Sequence, residues 1–359
     1  MKIPPSTAAS VTGTTDGGVQ PTEAFVPVLR TRIFCLGLAA AAFLAIAVSA
    51  RAGAGTARKV TFTTPWVPQA QFAGYYVAQE KGFYRSRGID LEISHGGPDR
   101  SAVEDLKGGK ADFAGMWLST ALQQRAAGFR LVNLGQIIQR SALMLVAKKA
   151  SGIRTAADLQ GKRVGLWGGD FAIQPRAFLK QHGLQVRIVP QSVTLNLFLR
   201  DGVDAASAMW YNEYHTILNA GLDPGELTTF FFQDFGLNFP EDGIYAREET
   251  YRADPALACA LVHASLEGWA YAFSHPDEAL DIVLKRMSGA RIPANRQHQK
   301  WMLARLKDLV APGDGTSTPG ELRAADYESV AGTLQAEGFI AAVPSYEAFA
   351  ARCASHGER

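Results

Sequence analysis

Residues 64–84 read TPWVPQAQFAGYYVAQEKGFY, and the fold turns on how this stretch is read. It follows Val60-Thr61-Phe62-Thr63-Thr64, a β-branched and aromatic run of strand character. Pro65 and Pro68 bracket Trp66 and Val67, force a turn and deny a continued strand its backbone donors. The spacing then predicts a helix over residues 71–84. A helix that starts directly after a strand offers unpaired N–H groups at the carboxyl edge of a sheet, where small ligands sit in open α/β folds. Trp66, Gln69, Phe72 and Tyr75 are therefore expected to line one wall of a cleft. A competing reading places these aromatics in ordinary core.

Outward from this stretch the strand-then-helix alternation continues. Residues 90–94, 111–115 and 131–138 read as strands, with helices over 101–107 and 119–127. A second series begins after the apolar strand Leu143–Lys148, which is suited to crossing between lobes. It continues with strands at 163–167, 186–189, 205–209 and 228–232, and helices at 171–182, 193–199 and 212–220. Asp242–Arg247 looks like a return strand. Residues 255–352 read as helical, with Leu257, Leu261, Leu266 and Trp269 at helical spacing. Strands separated by helices of this length imply βαβ units and a largely parallel sheet. The 359 residues suffice for two lobes. The expected division is a leader over 1–50, lobe 1 from 56–141 and 240–352, and lobe 2 from 142–239.

The chain also contains an internal echo. Residues 106–117, LKGGKADFAGMW, resemble residues 199–210, LRDGVDAASAMW. Gly109-to-Trp117 and Gly202-to-Trp210 have equal spacing, while Asp112 and Asp204 slip by one. If the segments hold matching places in two lobes, Trp117 and Trp210 face each other across the cleft.

Composition is that of a globular protein: 47% apolar, 19% charged, formal net charge +2. Neither a basic surface for nucleic acid nor an acidic tail is implied. Residues 1–27 are rich in Ser, Thr, Gly and Pro without a periodic pattern and read as disordered. Arg30 and Arg32 precede the uncharged run IFCLGLAAAAFLAIAV at 33–48, and Val48-Ser49-Ala50 has the small residues of a signal-peptidase site. Cleavage after Ala50 and a periplasmic destination are expected. Cys35 lies ahead of most of the apolar run, badly placed for lipidation. Cys259 and Cys353 remain; they can pair in an oxidising compartment, but the apolar helical setting of Cys259 favours a buried free thiol.

Taken together, Trp66-Val67-Pro68, residues 72–76 (FAGYY), 80–84 (EKGFY), 88–91 (GIDL), 109–113 (GKADF), 158–162 (DLQGK) and 210–214 (WYNEY) resemble a family of periplasmic solute-binding proteins. That family includes binders of thiamine-pyrimidine precursors, sulfonates and nitrate, with proposed riboflavin binders nearby. The resemblance covers roughly residues 59–346. It implies a type II periplasmic-binding-protein fold: α/β, two-lobed, each lobe a mostly parallel sheet flanked by helices, with a ligand cleft between them. It further implies a monomer with no cofactor, a small planar heteroaromatic ligand and an ABC transporter permease as partner. A flavin or a sulfonate is the alternative ligand.

The same family contains an enzyme that builds the thiamine pyrimidine from pyridoxal phosphate and histidine using iron. Its hallmarks are a Lys after the Gly-Lys-x-Asp strand, a His four residues later and a Cys-rich run. Here those positions read Trp117, Ala121 and the cysteine-free DFGLNFP at 234–240. A Schiff base needs an amine, so the expectation is a binding protein rather than an enzyme. The Asn and His often found after Trp-x-Pro in pyrimidine binders are Gln69 and Phe72 here.

A planar heterocycle wants π faces above and below and a few directional polar groups at its edge. Trp66, Trp117, Trp167 and Trp210 all fall at expected strand ends. Asn212 and Glu213 follow Trp210; Glu213 can accept from an exocyclic amine, and both can equally serve as helix caps. Asp242 is placed to enter the hinge and reach the ligand. Asp170, after Gly168-Gly169, would repel an anion. The seven histidines are scattered, and Glu213 and His215 point to different helix faces, so no metal site is expected.

Overall fold

The computed structural model describes residues 57–313, 315, 317–351 and 353. The expected leader, its apolar run and the cleavage point after Ala50 lie outside the described residues.

Among the described residues ten strands form two five-stranded sheets. The first is built from β1 (Arg58–Thr64), β2 (Ile89–His95), β3 (Phe113–Trp117), β4 (Leu131–Gln136) and β10 (Asp242–Arg247), in the order β2-β1-β3-β10-β4. The second uses β5 (Leu143–Lys148), β6 (Arg163–Leu166), β7 (Arg187–Pro190), β8 (Ala205–Met209) and β9 (Leu227–Phe231), in the order β7-β6-β8-β5-β9. Each sheet has four strands running one way and one antiparallel strand, β10 in the first and β5 in the second. The two antiparallel members are the strands the sequence marks as connections between lobes. The result is a two-lobed α/β periplasmic-binding-protein fold.

The internal echo is structural. β3 and β8 are the central strands of their sheets, and each pairs in parallel with the first strand of its series. Asp112 accepts from the Thr61 N–H at 2.8 Å, and Asp204 accepts from the Arg163 N–H at 2.8 Å. Each aspartate directly precedes its central strand, so the two are equivalent and the one-residue slip falls on the tryptophans: Trp117 ends β3, whereas Trp210 lies one residue past β8.

The helix expected over 71–84 is shorter. A 3₁₀ turn, Ala70–Phe72, precedes α1 (Ala73–Glu80). Gly82 then adopts φ 78°, and the Phe83 and Gly82 N–H groups donate to the Ala78 and Gln79 carbonyls. This is a left-handed helix stop that a glycine adopts without strain.

The other helices are α2 (Ala102–Lys107), α3 (Leu118–Ala126), α4 (Ile173–Gln181), α5 (Asn196–Leu199), α6 (Glu213–Asn219), α7 (Glu248–Ala253), α8 (Pro255–Ser274), α9 (Pro276–Gly289), α10 (Arg296–Val310), α11 (Ala324–Ala336) and α12 (Tyr346–Phe349). α8 is long and apolar enough to cross a membrane by composition. Here it is a core helix that buries Leu261, Val262, Ser265 and Trp269. It crosses α1 backbone to backbone: a Cβ on Gly268 would stand 2.1 Å from the Gly74 carbonyl oxygen, and one on Gly74 would stand 2.3 Å from the Trp269 ring. That crossing pins the α1 end of the cleft to the C-terminal helices.

Cys259 is not a free thiol. It is bonded to Cys353, with Cα atoms 4.9 Å apart. Of the two states the sequence left open the pairing is the one formed, because the C-terminal segment returns over α8, held by the Ala351 N–H donating to Asn133 O and by a His263–Cys353 carbonyl bond of 2.9 Å.

Candidate functional site

Strand ends from both sheets converge on a cavity of about 780 Å³. From the first lobe come Trp66, Gln69 and Gln71 after β1, Arg100 before α2, Met116 and Trp117 at the end of β3, and Thr120 on α3. The second lobe supplies Trp167 to Phe171 after β6, Met209 at the end of β8, and Tyr211, Asn212 and Glu213 after it. Asp242 enters from the start of β10, where it pairs with Trp117 across the sheet.

Aromatic surface bridges the lobes. Phe171 packs edge-on against Trp117, with centroids 4.6 Å apart, and against Trp167 at 5.7 Å. Beside this contact Asp170 accepts from Thr120 Oγ1 and from Gln123 Nε2, the latter at 3.0 Å. Both donors lie on α3, so the bonds tie the first lobe to the loop after β6.

Polar groups line the floor. Gln69 Nε2 donates to Gln71 Oε1 at 2.6 Å, and Gln71 Nε2 donates to Asp242 Oδ2 at 2.7 Å. The other Asp242 oxygen is buried and has no protein partner. Burial pushes the Asp242 carboxyl up to about 7, against the opposing effect of the Gln71 bond. Glu213 accepts from the Met209 N–H at 3.0 Å and from Asn212 Nδ2 at 2.8 Å. Desolvation pushes it, too, up to about 7. Behind them Glu241 is fully buried and held well above the carboxylate range by burial, then by the Asp242 charge. The Tyr211 hydroxyl is driven up by burial first and then by Glu241, Asp242 and Glu213.

Among the residues the sequence singled out, Trp66, Gln69, Trp117, Trp167, Asn212, Glu213 and Asp242 line the cavity. Phe72, Tyr75 and Trp210 do not. The 3₁₀ turn before α1 rotates the register, so Gln71 faces the cavity while Phe72 is fully buried. Tyr75 packs against Phe62 at 4.8 Å and Trp269 at 5.9 Å. Trp210 lies just beyond β8. Its ring is covered by Arg305 at 4.8 Å and meets Phe231 edge-on at 5.6 Å. It joins the second lobe to α10 and does not oppose Trp117; Trp167 and Phe171 supply that lobe's aromatic face. Sequence reading missed Gln71, Tyr211 and Phe171. For Gln71 the signal was its spacing of two from Gln69, which an extended segment, as at Gln69, places on a common side.

A family model described as NMT1/THI5 like matches residues 69–279. The chain belongs to that family. The match spans the cavity wall from Gln69 to Asp242 and leaves Trp66 and all of α10 outside. Within reach of this NMT1/THI5-like chain is the riboflavin-binding protein RibY of Chloroflexus aurantiacus, 27% identical over 66% of this chain and 69% of that protein. A Haemophilus influenzae protein named for thiamine biosynthesis is 25% identical over 79% of this chain and 88% of its own length. Among solved structures, the periplasmic aliphatic sulphonate binding protein SsuA of Escherichia coli aligns with a TM-score of 0.63 at 17% identity, covering 81% of this chain and 91% of SsuA. That likeness is one of fold.

Proposed function

We propose that this protein is the extracytoplasmic solute-binding component of an ABC importer and that it closes on a small flat heteroaromatic with an N–H-rich edge, such as a thiamine-pyrimidine precursor. The observation that carries this reading is Asp242, a lining residue with one buried oxygen that has no protein partner, in a cavity walled by Trp66, Trp117, Trp167 and Phe171. An aminopyrimidine supplies what such a site lacks: exocyclic and ring N–H donors at its edge and two π faces. Stacking contributes about 1–3 kcal/mol per base-like ring, and a hydrogen bond to a charged group about 1.5–3 kcal/mol. Together they reach much of the roughly 8 kcal/mol of a micromolar complex.

A sulfonate suits this cavity poorly. Asp170, Glu213 and Asp242 line it, and its one arginine, Arg100, is already engaged by Asp105 at 2.7 Å and Ser94 at 3.2 Å. A flavin is the second reading, favoured by size. The cavity sits in the upper part of the roughly 300–1,000 Å³ range of small-molecule sites and has room for more than one pyrimidine ring. The synthase reading has no amine at Trp117 for a Schiff base. The protein acts in the periplasm as a monomer that hands its ligand to a permease, by a hinge closure of the two lobes.

The test is calorimetric titration of the protein from residue 51 onward with 4-amino-5-hydroxymethyl-2-methylpyrimidine, riboflavin and an alkanesulfonate, with mass spectrometry of what co-purifies. One-to-one binding of a heterocycle supports the reading. Binding of the sulfonate alone overturns it.

A further inference from the structure

From Glu213 on the cavity wall a chain of side chains runs across the lobe boundary to α10. Asn212 Nδ2 donates to Glu213 Oε1, and its Oδ1 meets His298 Nε2 at 2.8 Å. His298 Nδ1 lies 2.9 Å from His215 Nδ1, and Asn219 Nδ2 lies 3.1 Å from the same His215 atom. His215 stacks on Trp301 at 5.0 Å and 16°, and Trp301 Nε1 donates to the Trp210 carbonyl at 3.0 Å. We infer that His298, on a helix far along the chain from the cavity residues, is a positioning residue that sets the Asn212 amide and so presents Glu213 to the ligand, and that its bond to His215 makes this presentation depend on pH.

The hydrogen-bond directions follow from the atoms. Asn212 has one acceptor oxygen, and its NH₂ group is committed to the Glu213 carboxylate, so His298 Nε2 must carry a proton. With neutral imidazoles His298 Nδ1 is then bare and His215 donates to it from Nδ1, and the Asn219 amide must turn its oxygen rather than its NH₂ toward that N–H. One added proton still fits: a doubly protonated His298 donates to a bare His215 Nδ1, which then also accepts from Asn219 Nδ2. A second leaves two N–H groups facing each other, and the contact must part.

Burial lowers both imidazoles, and the charge of His215 lowers His298 further. The joined form therefore binds fewer protons than the parted form just below the ordinary histidine value of about 6.5. It is favoured at neutral pH and lost as pH falls below that value. The other charged or titratable groups around the pair are few. On α6 these are Glu213 and Tyr214. On α10, Arg305 lies over Trp210 and Trp301 and is tied to Asp308, Arg296 is tied to Asp277 and Asp281, and Lys300 is exposed.

This inference rests on the proposed ligand site, and its test separates the two. His298→Ala and His298→Gln are titrated with the pyrimidine and riboflavin from pH 5 to 8, alongside ¹⁵N spectra of the imidazoles in the ligand-free protein. At pH 7.5 His298→Ala is expected to bind about tenfold more weakly, the size of one lost hydrogen bond. His298→Gln, whose amide still donates to Asn212, stays within about threefold. The wild type loses affinity more steeply below pH 6.5 than His298→Gln does. The Asp242 and Glu213 contributions remain in both proteins, so the difference isolates the imidazole. The spectra should show His298 protonated at Nε2 at neutral pH. Equal affinities and pH profiles for wild type and His298→Ala, or a His298 bare at Nε2, overturn the inference. If wild type binds neither heterocycle, the proposed function fails and the imidazole spectra alone decide this point.

Discussion

Gln71 holds one oxygen of Asp242, a residue lining the cavity, at 2.7 Å and leaves the other buried without a protein partner. The carboxylate is thereby oriented without being satisfied, the arrangement of a site that awaits a donor. Asp242→Asn keeps the shape and replaces an acceptor-only edge with a mixed one. Affinity for an aminopyrimidine should fall about 10- to 150-fold, the range of a hydrogen bond to a charged group. Calorimetry reads this directly.

Trp117 and Trp210 separate stacking from scaffolding. Trp117→Ala removes a cavity face and should weaken binding by about 1–3 kcal/mol. Trp210→Ala, whose ring packs under Arg305 and against Phe231, should leave affinity within about threefold and lower the melting temperature instead. A fluorescence titration with a parallel melt distinguishes the two.

Asp242 and Glu213 also give the ligand-free protein a pH signature. Both carboxyls are raised in the folded state to about 7, while in the unfolded chain they titrate near about 4. Between these values the folded form holds more protons, so their contribution to stability is full below about pH 4 and is lost as pH rises through 7. Asp242→Asn should flatten that decline in a melting-temperature profile. Glu248 works the other way. The Arg130 hydrogen bond, with charges from Arg252 and Arg125 assisting, holds it at about 2. Its stabilisation is present above about pH 4.5 and lost as pH falls toward 2. Glu248→Gln should flatten only the acid end.

Gly268→Ala tests the α1–α8 crossing. A methyl group 2.1 Å from the Gly74 carbonyl oxygen cannot be accommodated without parting the helices. Destabilisation of about 1–3 kcal/mol or more is expected, seen as a lowered urea midpoint.

Cys353→Ser should cost about 2–5 kcal/mol, because the bond to Cys259 closes a loop across 94 residues. Wild type melted with a reductant should approach the variant, and both should keep the ligand stoichiometry.

The order of elements was legible because strands and helices announce themselves locally. β5, β8 and β10 fall on the residues their apolar runs indicate, and the two aspartates of the echo mark equivalent central strands. What was not legible depends on rotation and on distant chain. Phe72 and Tyr75 point inward because a 3₁₀ turn shifts the register ahead of α1. Trp210 shares a position with Trp117 in the echo, yet α10 covers it, and no local pattern shows which helix will arrive. For the same reason the contact of His298 with Asn212 was invisible, and the Cys259–Cys353 pairing could be named but not chosen over a free thiol: each joins the cavity lobes or α8 to a segment roughly ninety residues away.

The most direct measurement is the affinity of wild type and Asp242→Asn for 4-amino-5-hydroxymethyl-2-methylpyrimidine, riboflavin and an alkanesulfonate at pH 7.5. A carboxylate floor between aromatic walls predicts micromolar or tighter one-to-one binding of a heterocycle, loss of at least tenfold in Asp242→Asn, and no sulfonate binding. Tight sulfonate binding, or a heterocycle held equally well by both proteins, would contradict it.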